Sequence, residues 1–193
     1  MLRLLFGIVL GLAMAPIIVL GWFRYGHPPV AVADGQLPFE RQFVKVPMHA
    51  RIDREMPSLI SIEPTEENLR AGAEIYRDQC AVCHGFRGTP SSFAAHMFPE
   101  APQLWQPNHD GKVVGVSDDP PGETYWKVAN GLRLTGMPAY GKLLTSQKIW
   151  QVSLLLANAD KQLSPDVVSI VAGQCPTNSP ECSTEAKPAV SKK

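Results

Sequence analysis

The sequence lacks the features by which several large classes of protein are identified. Its 18 basic and 18 acidic side chains give a formal net charge of zero, so the basic excess typical of a nucleic-acid-binding protein is absent. It contains no glycine-rich phosphate loop and no hydrolase-like arrangement of serine, histidine and acidic residues. We find no internal repeat and no convincing strand. These absences argue against nucleic acid as a partner and leave no catalytic constellation made of side chains alone.

Charge is also absent from the N-terminal run Leu4–Phe23, which Arg3 precedes and Arg24 follows. A helix of this length reaches about 30 Å, roughly the thickness of the hydrocarbon core of a bilayer. We assign residues 1–24 to a membrane anchor or signal, and favour the anchor because a cleavable signal has a shorter apolar region. If the segment is instead a cleaved signal, the candidate cleavage site is Ala-Val-Ala at 31–33. In both cases the chain after Arg24 is expected to be exported.

Beyond the N-terminal run, helix signals begin at about residue 64. Residues 25–63 are rich in proline, mixed in charge and without a sustained period, which predicts an extended lead-in. Capping residues and periodicity then predict three helices, over about Thr65–Gln79, Asp119–Asn130 and Thr145–Asp160. Residues 164–193 lose the pattern and are assigned to a tail. The expected fold class is all-α: a small helical domain with long loops, preceded by one N-terminal transmembrane helix.

Two of the four cysteines, Cys175 and Cys182, bracket a short loop in the tail. Because exported cysteines are usually oxidised, we expect a disulfide between them. Closing so short a loop stabilises a protein by about 2–3 kcal/mol at most. The expected role of this bond is to hold the tail in place, not to carry out redox chemistry.

The other two cysteines belong to the run Cys80-Ala81-Val82-Cys83-His84, which has the spacing of a haem-attachment sequence. Two thiols at this spacing reach the vinyl groups on one edge of a porphyrin, and His84 is then carried under the iron as its proximal ligand. A thioredoxin-type site would require a surrounding βαβ pattern, which is missing. A zinc site would require a second ligand pair nearby. The motif therefore predicts one covalently attached haem c.

An iron bound by a single histidine needs a sixth ligand unless it is itself a site of chemistry. Met137 is the best candidate, because Gly136 and Pro138 on either side fix a loop backbone and allow it to approach the haem closely. A thioether ligand favours reduced iron and raises the reduction potential, whereas a second histidine would lower it. The competing ligands lie in the loop between the first two predicted helices: Met97, His96 and His109.

With these residues identified, residues 64–163 resemble a class I cytochrome c domain. The matching positions are Gly72, Tyr76, Cys80, Cys83, His84, Pro102, Leu104, Asn130, Gly131, Gly136, Met137, Pro138 and Trp150. The resemblance implies that the Pro102 carbonyl accepts a hydrogen bond from the ring of His84. It also implies that the last helix crosses the first at Gly72. The stretch between His84 and Pro102 is longer than in the most compact members of that family.

Four further side chains are expected near the haem or in the core. Arg133 is a candidate partner for a haem propionate, because a guanidinium matches the geometry of a carboxylate. The alternative for Arg133 is a solvated position on its loop. The aromatic residues Trp105, Tyr125 and Trp126 are expected to form walls of the haem pocket and the core.

If both axial positions of the iron are filled, no substrate reaches it and the expected function is single-electron transfer. We expect a membrane-tethered carrier, or the haem subunit of a respiratory or photosynthetic complex, with redox proteins as partners and no small-molecule substrate. The expected location is the bacterial cytoplasmic membrane, with the haem domain on the periplasmic side. One alternative is an open-site haem enzyme or gas sensor, if Met137 does not bind iron. The other is a haem-free module whose cysteines bind zinc or pair.

Overall fold

The computed structural model describes residues 1–108 and 111–174. Regular structure within these two ranges is helical, with only isolated β-bridges, which confirms the expected all-α class. The α-helices in the described ranges are α1 (Leu2–Tyr25), α2 (Glu40–Glu55), α3 (Glu66–Gln79), α4 (Ala81–His84), α5 (Pro121–Asn130), α6 (Ser146–Ala157) and α7 (Pro165–Val171). A 3₁₀ turn covers Ala94–His96 in the long loop between α4 and α5. The chain divides into two compact units after Val44.

The first unit, Met1–Val44, contains α1 and the beginning of α2. None of the residues of α1 is buried, and its only charged side chains are Arg3 and Arg24. By length and composition α1 is able to cross a membrane, as the sequence predicted. An N-terminal signal sequence would meet the same description.

The core of the second unit forms where α3 crosses α6. The first of these helices is capped by Thr65, whose hydroxyl accepts a hydrogen bond from the Asn68 N–H at 3.3 Å. Thr145 caps α6 in the same way. At the crossing, a Cβ atom on Gly72 would collide with the carbonyl oxygen of Gln151, so the two helix backbones are in contact. This close approach is the one that the family resemblance implies.

The loop after α5 folds back because of the glycine that ends the helix. Gly131 has a φ of +65°, a conformation that favours glycine. A Cβ atom there would also lie 2.8 Å from the Ala139 nitrogen. The returning chain is then bonded to α5, since the Tyr140 N–H donates to the Val128 carbonyl at 3.0 Å. The turn thus places the loop containing Met137 beside α5.

Helix α2 corrects the expectation that residues 25–63 are extended. Its Ile52 is completely buried, and the indole N–H of Trp126 on α5 donates to the Glu55 carboxylate at 3.0 Å. The helix is difficult to predict from the sequence, because Pro47 interrupts it. Most of its residues are exposed, so it has no apolar stripe. Its C-terminal half is stabilised by packing against the domain and not by intrinsic helix propensity.

Helix α7 corrects the assignment of residues 164–193 to a tail. Its N-cap, Ser164, accepts a hydrogen bond from the Val167 N–H. Val167 and Ile170 are 1% and 0% exposed, belong to the main core cluster, and lie on a helix that packs against α3. The compact domain therefore includes α7. The predicted Cys175–Cys182 disulfide lies outside the described residues.

Candidate functional site

The attachment sequence forms a tight helical turn at the end of α3. Cys80 ends that helix, and Cys83 and His84 lie on α4, the single turn that follows. Tyr76 is completely buried and holds the turn in place, since its hydroxyl lies 2.7 Å from the Gly85 carbonyl and 3.2 Å from the His84 carbonyl. Both cysteines are half-buried free thiols. Burial raises the pKa of Cys80 to about 12, and the neighbouring Cys83 adds to this effect, so the Cys80 thiol is protonated.

The ring of His84 is oriented by the carbonyl of Pro102, which lies 2.8 Å from its Nδ1 atom. A carbonyl only accepts, so Nδ1 carries the proton and Nε2 keeps its lone pair. Burial lowers the pKa of His84, and the bond to Pro102 offsets part of that shift. The imidazole is therefore neutral at neutral pH, with a fixed ring and one free nitrogen. This is the form of histidine that binds iron.

A cavity of about 240 Å³ lies beside the attachment turn. The residues that line it include all the predicted haem-site residues except Arg133: Cys80, Cys83, His84, Pro102, Leu104 and Met137. Two thiols, a neutral imidazole and a thioether thus border one mostly apolar space. These are the donors that attachment and axial ligation of a haem require, so the residues present fit the group.

The loop that carries Met137 is held by hydrogen bonds of its own. The Met137 N–H donates to the Thr135 hydroxyl oxygen at 3.0 Å, and that hydroxyl donates to the Leu132 carbonyl at 2.7 Å. The Leu132 N–H donates in turn to the Met137 carbonyl at 3.3 Å. These bonds determine the backbone position of Met137 together with its glycine and proline neighbours, and its half-buried side chain packs against the core.

Of the competing ligands named from the sequence, Met97 is placed at the cavity. It lies against the loop that carries Met137, called here the distal loop, because a Cβ atom on Gly136 would collide with the Met97 methyl carbon. His96 is exposed and is not among the lining residues. His109 lies outside the described residues. Met97 is therefore the alternative that an experiment on the sixth ligand must test beside Met137.

Two charged side chains line the cavity, Glu100 and Lys127, and sequence reasoning missed both. Lys127 lies on α5 and pairs with Glu123 at 2.6 Å and with Asp119 at 3.4 Å. Burial raises the pKa of Asp119, and attraction to Lys127 opposes that shift. Arg133 is exposed and outside the lining, so its contact with a propionate stays a prediction.

The aromatic residues expected around the haem lie mainly in the core. Trp105 and Trp126 are buried, and Tyr125 packs against another aromatic ring of the core, but none of the three lines the cavity. The aromatic side chain at the cavity is Tyr140, whose hydroxyl donates to the Gln79 carbonyl at 2.9 Å. The expectation that Trp105 and Trp126 belong to the core is thus confirmed. The expectation that the three aromatic residues form walls of the haem pocket is wrong.

The described residues give no support to a zinc-binding module. No group of three or more His, Cys, Asp or Glu side chains that could hold a metal ion occurs within residues 1–108 and 111–174. The two thiols of the attachment turn and His84 are one ligand short of the closed four-ligand site of a structural zinc module.

Comparison with known proteins agrees with this geometry. Residues 67–154, a little less than half of the chain, match the family model described as cytochrome C oxidase, cbb3-type, subunit III. Among solved structures, a protein of the Kuenenia stuttgartiensis reducing HAO-like protein complex is similar, with 22% identity and a TM-score of 0.42. That similarity covers 72% of this chain and 54% of the other, so this chain spans about half the length of that protein. No curated protein matches the chain.

The segment matched by the family model includes the whole attachment sequence, the Pro102 loop and the loop of Met137. Residues 67–154 therefore form a class I c-type cytochrome domain, whose covalently bound haem c serves electron transfer.

Proposed function

We propose that this protein is a membrane-tethered electron-transfer protein that carries one haem, with His84 and Met137 as the two axial ligands. The observation that carries the proposal is the convergence of both side chains on one cavity, the first with its ring fixed by Pro102. When bound, the haem supplies one-electron exchange at its iron. The protein's own contribution is to attach, orient and shield this group.

Each part of the cavity has a defined task in this proposal. Cys80 and Cys83 would hold the haem covalently, each through a thioether bond to one of its vinyl groups. The Pro102 carbonyl keeps the Nδ1 proton of His84 in place, which directs Nε2 to the iron. The hydrogen-bonded loop around Met137 would hold its thioether as the second iron ligand. With both positions filled, no substrate binds at the iron, and we propose no enzymatic activity for the isolated domain.

Electrons are proposed to enter and leave at the solvent side of the attachment turn. Val82, between the two cysteines, is 65% exposed, so an apolar side chain stands in solvent beside the thiols. Such a surface suits transient contact with another redox protein, because weak electron-transfer complexes bury little area. The partners proposed are therefore redox proteins and not small molecules.

The helix α1 supports the proposed tether, since it is long and apolar enough to cross a bilayer. Haem c domains are attached to their cofactor outside the cytoplasm, so we propose that the domain lies on the outer face of a bacterial cytoplasmic membrane. The description of the matching family model, an oxidase subunit, supports a haem subunit of a larger membrane complex over a mobile carrier.

The axial ligands are tested by visible and near-infrared spectra of the haem-loaded protein, oxidised and reduced, for wild type, Met137→Ala and Met97→Ala. Methionine ligation predicts a weak band at the red edge of the oxidised wild-type spectrum. This band should be lost in Met137→Ala and kept in Met97→Ala, since both methionines line the cavity but only Met137 is held by the distal loop. Loss in Met97→Ala alone would transfer the ligand role to Met97. A high-spin wild-type spectrum would instead indicate an open iron and the enzyme or gas-sensor alternative.

A further inference from the structure

Helix α2, in the segment before the cytochrome domain, contributes a methionine to the haem cavity. Met48 is half-buried and lines the same space as His84 and Met137. It lies outside residues 67–154, the range of the family match. The structure thus adds one wall to the cavity from a part of the chain that is not part of the matched domain.

The side of α2 that carries Met48 is docked on the domain. Ile52, one helical turn further on, is completely buried, and Glu55 lies seven residues after Met48 on the same face. The Glu55 carboxylate accepts the indole N–H of Trp126 at 3.0 Å. The Arg51 guanidinium pairs with Glu55 at 2.8 Å and lies 5.8 Å from the centre of the Trp126 ring. The position of Met48 is therefore fixed by the packing of α2 against the cytochrome domain.

The chain just after α2 approaches α5 closely as well. A Cβ atom on Gly122 would collide with the carbonyl oxygen of Pro57, so the two backbones touch there. Further along α5, Thr124, Lys127 and Val128 line the cavity. Helix α5 thus holds the end of α2 and forms part of the cavity wall, which links the position of Met48 to the haem site.

We propose that Met48 is a positioning residue of the haem site that closes the α2 side of the cavity, excludes water there and so raises the reduction potential. Oxidised iron carries one more positive charge than reduced iron, and water stabilises that charge far better than a thioether side chain in an apolar wall does. Burial and local dielectric are among the means by which a protein sets a haem potential. This inference rests on the proposed function, since it requires a haem in the cavity.

The test is the midpoint potential of the full-length, haem-loaded protein in detergent, measured by spectroelectrochemistry at pH 7. Met48→Ala opens the wall and should lower the potential while the red-edge band of Met137 ligation remains. Met48→Leu keeps an apolar group of similar volume and should keep the wild-type potential. Met48→Gln keeps the size but adds polarity, so it should lower the potential even if the alanine variant does not fold. The matched control is Met56→Ala, a half-buried methionine of the same segment that does not line the cavity.

An unchanged potential in Met48→Ala and Met48→Gln would overturn the proposal, and so would an equal decrease in Met56→Ala. Loss of the red-edge band in Met48→Ala, with the band kept in Met137→Ala, would make Met48 the ligand and also overturn it. Failure of the proposed function gives a different result. In that case the wild-type protein would lack covalently bound haem, or would show a high-spin spectrum, whatever residue stands at position 48.

Discussion

Replacing Gly72 by alanine adds one methyl group at the point where α3 crosses α6. In an isolated helix this change is favourable by about 0.8–1.0 kcal/mol, because alanine loses less backbone entropy than glycine. At the crossing the added carbon would collide with the Gln151 carbonyl oxygen, lie 2.7 Å from its carbonyl carbon and lie 3.2 Å from the Leu155 Cβ atom. The first two neighbours are backbone atoms, which no rotamer change moves aside.

The magnitude follows from these two opposing effects. Overpacking a well-packed core costs about 1–3 kcal/mol, and the upper end applies where a whole helix must move. The residues next to the crossing are Ala73, Val152 and Leu155, each 0% exposed, so separating the helices also opens a completely buried contact. We therefore expect Gly72→Ala to lower the free energy of unfolding by about 2 kcal/mol, after subtracting the gain in helix propensity from the overpacking cost.

The measurement is guanidinium unfolding of the haem-loaded protein, followed by far-ultraviolet circular dichroism. Ala71→Gly, at the neighbouring and partly exposed position of α3, is the control and should cost about 1 kcal/mol through helix propensity. If the backbones were not in contact, Gly72→Ala would stabilise the protein by a similar amount. A stability equal to or above that of the wild type would refute the reasoning.

Two further predictions test the elements that the sequence did not reveal. Ile170→Ala removes a completely buried side chain of α7. It should lower the unfolding free energy by about 2–5 kcal/mol. A loss below about 0.5 kcal/mol in the same guanidinium assay would show that the packing of α7 contributes little to stability. Trp126→Phe removes the indole donor to Glu55, and its effect should depend on pH. The hydrogen bonds to Arg51 and Trp126 lower the pKa of Glu55 below its ordinary value of 4.5. The stabilisation is therefore fully present above that value and is lost as the pH falls through the lower folded-state pKa. Thermal unfolding of wild type and variant at several pH values should show a difference that is largest near neutrality and shrinks in acid; a difference that is constant or grows in acid would contradict this.

Apart from the apolar α1, the helices that the sequence predicted correctly are those whose ends are marked by local chemistry. Thr65 and Thr145 cap α3 and α6 through their hydroxyls, and Gly131 ends α5 in a conformation that favours glycine. Each of these signals acts within one turn of the chain, so it can be read without knowledge of the fold. The predicted end of α6 at Asp160 is less accurate, since the helix ends at Ala157 and no glycine follows.

The helices that were missed depend on contacts that are distant in the sequence. Helix α2 has Pro47 in its interior and one completely buried residue, Ile52, so neither propensity nor period marks it. Helix α7 did carry a usable signal, since Ser164 and Pro165 form an N-cap and a first-turn proline. Its seven residues are too few for a period to be read, and helices of that length depend on tertiary packing.

The residues of the candidate site also fall into two groups, those marked by a local sequence pattern and those placed by contacts distant in the sequence. Cys80, Cys83 and His84 are specified by their spacing, because the predicted attachment and proximal ligation would involve only five consecutive residues. Met48 and Tyr140 reach the cavity only through the packing of α2 and through the turn after α5. No local pattern separates such residues from an ordinary core methionine or tyrosine. The sequence thus predicted the ligand residues of the proposed haem site, and the structure was needed to find the other residues that line its cavity.

The long loop between His84 and Pro102 shows how the proximal geometry tolerates added length. The Gln103 side chain donates to the Cys83 carbonyl at 3.2 Å and accepts from the Ser91 N–H at 2.7 Å, so it ties both the middle and the return of the loop to the attachment turn. Lengthening a loop whose ends are fixed is inexpensive, about 0.6 kcal/mol for each doubling. The Pro102 carbonyl, next to Gln103, therefore contacts His84 despite the long loop. Its position is set by the hydrogen bonds of Gln103 to the attachment turn and not by the number of residues between His84 and Pro102.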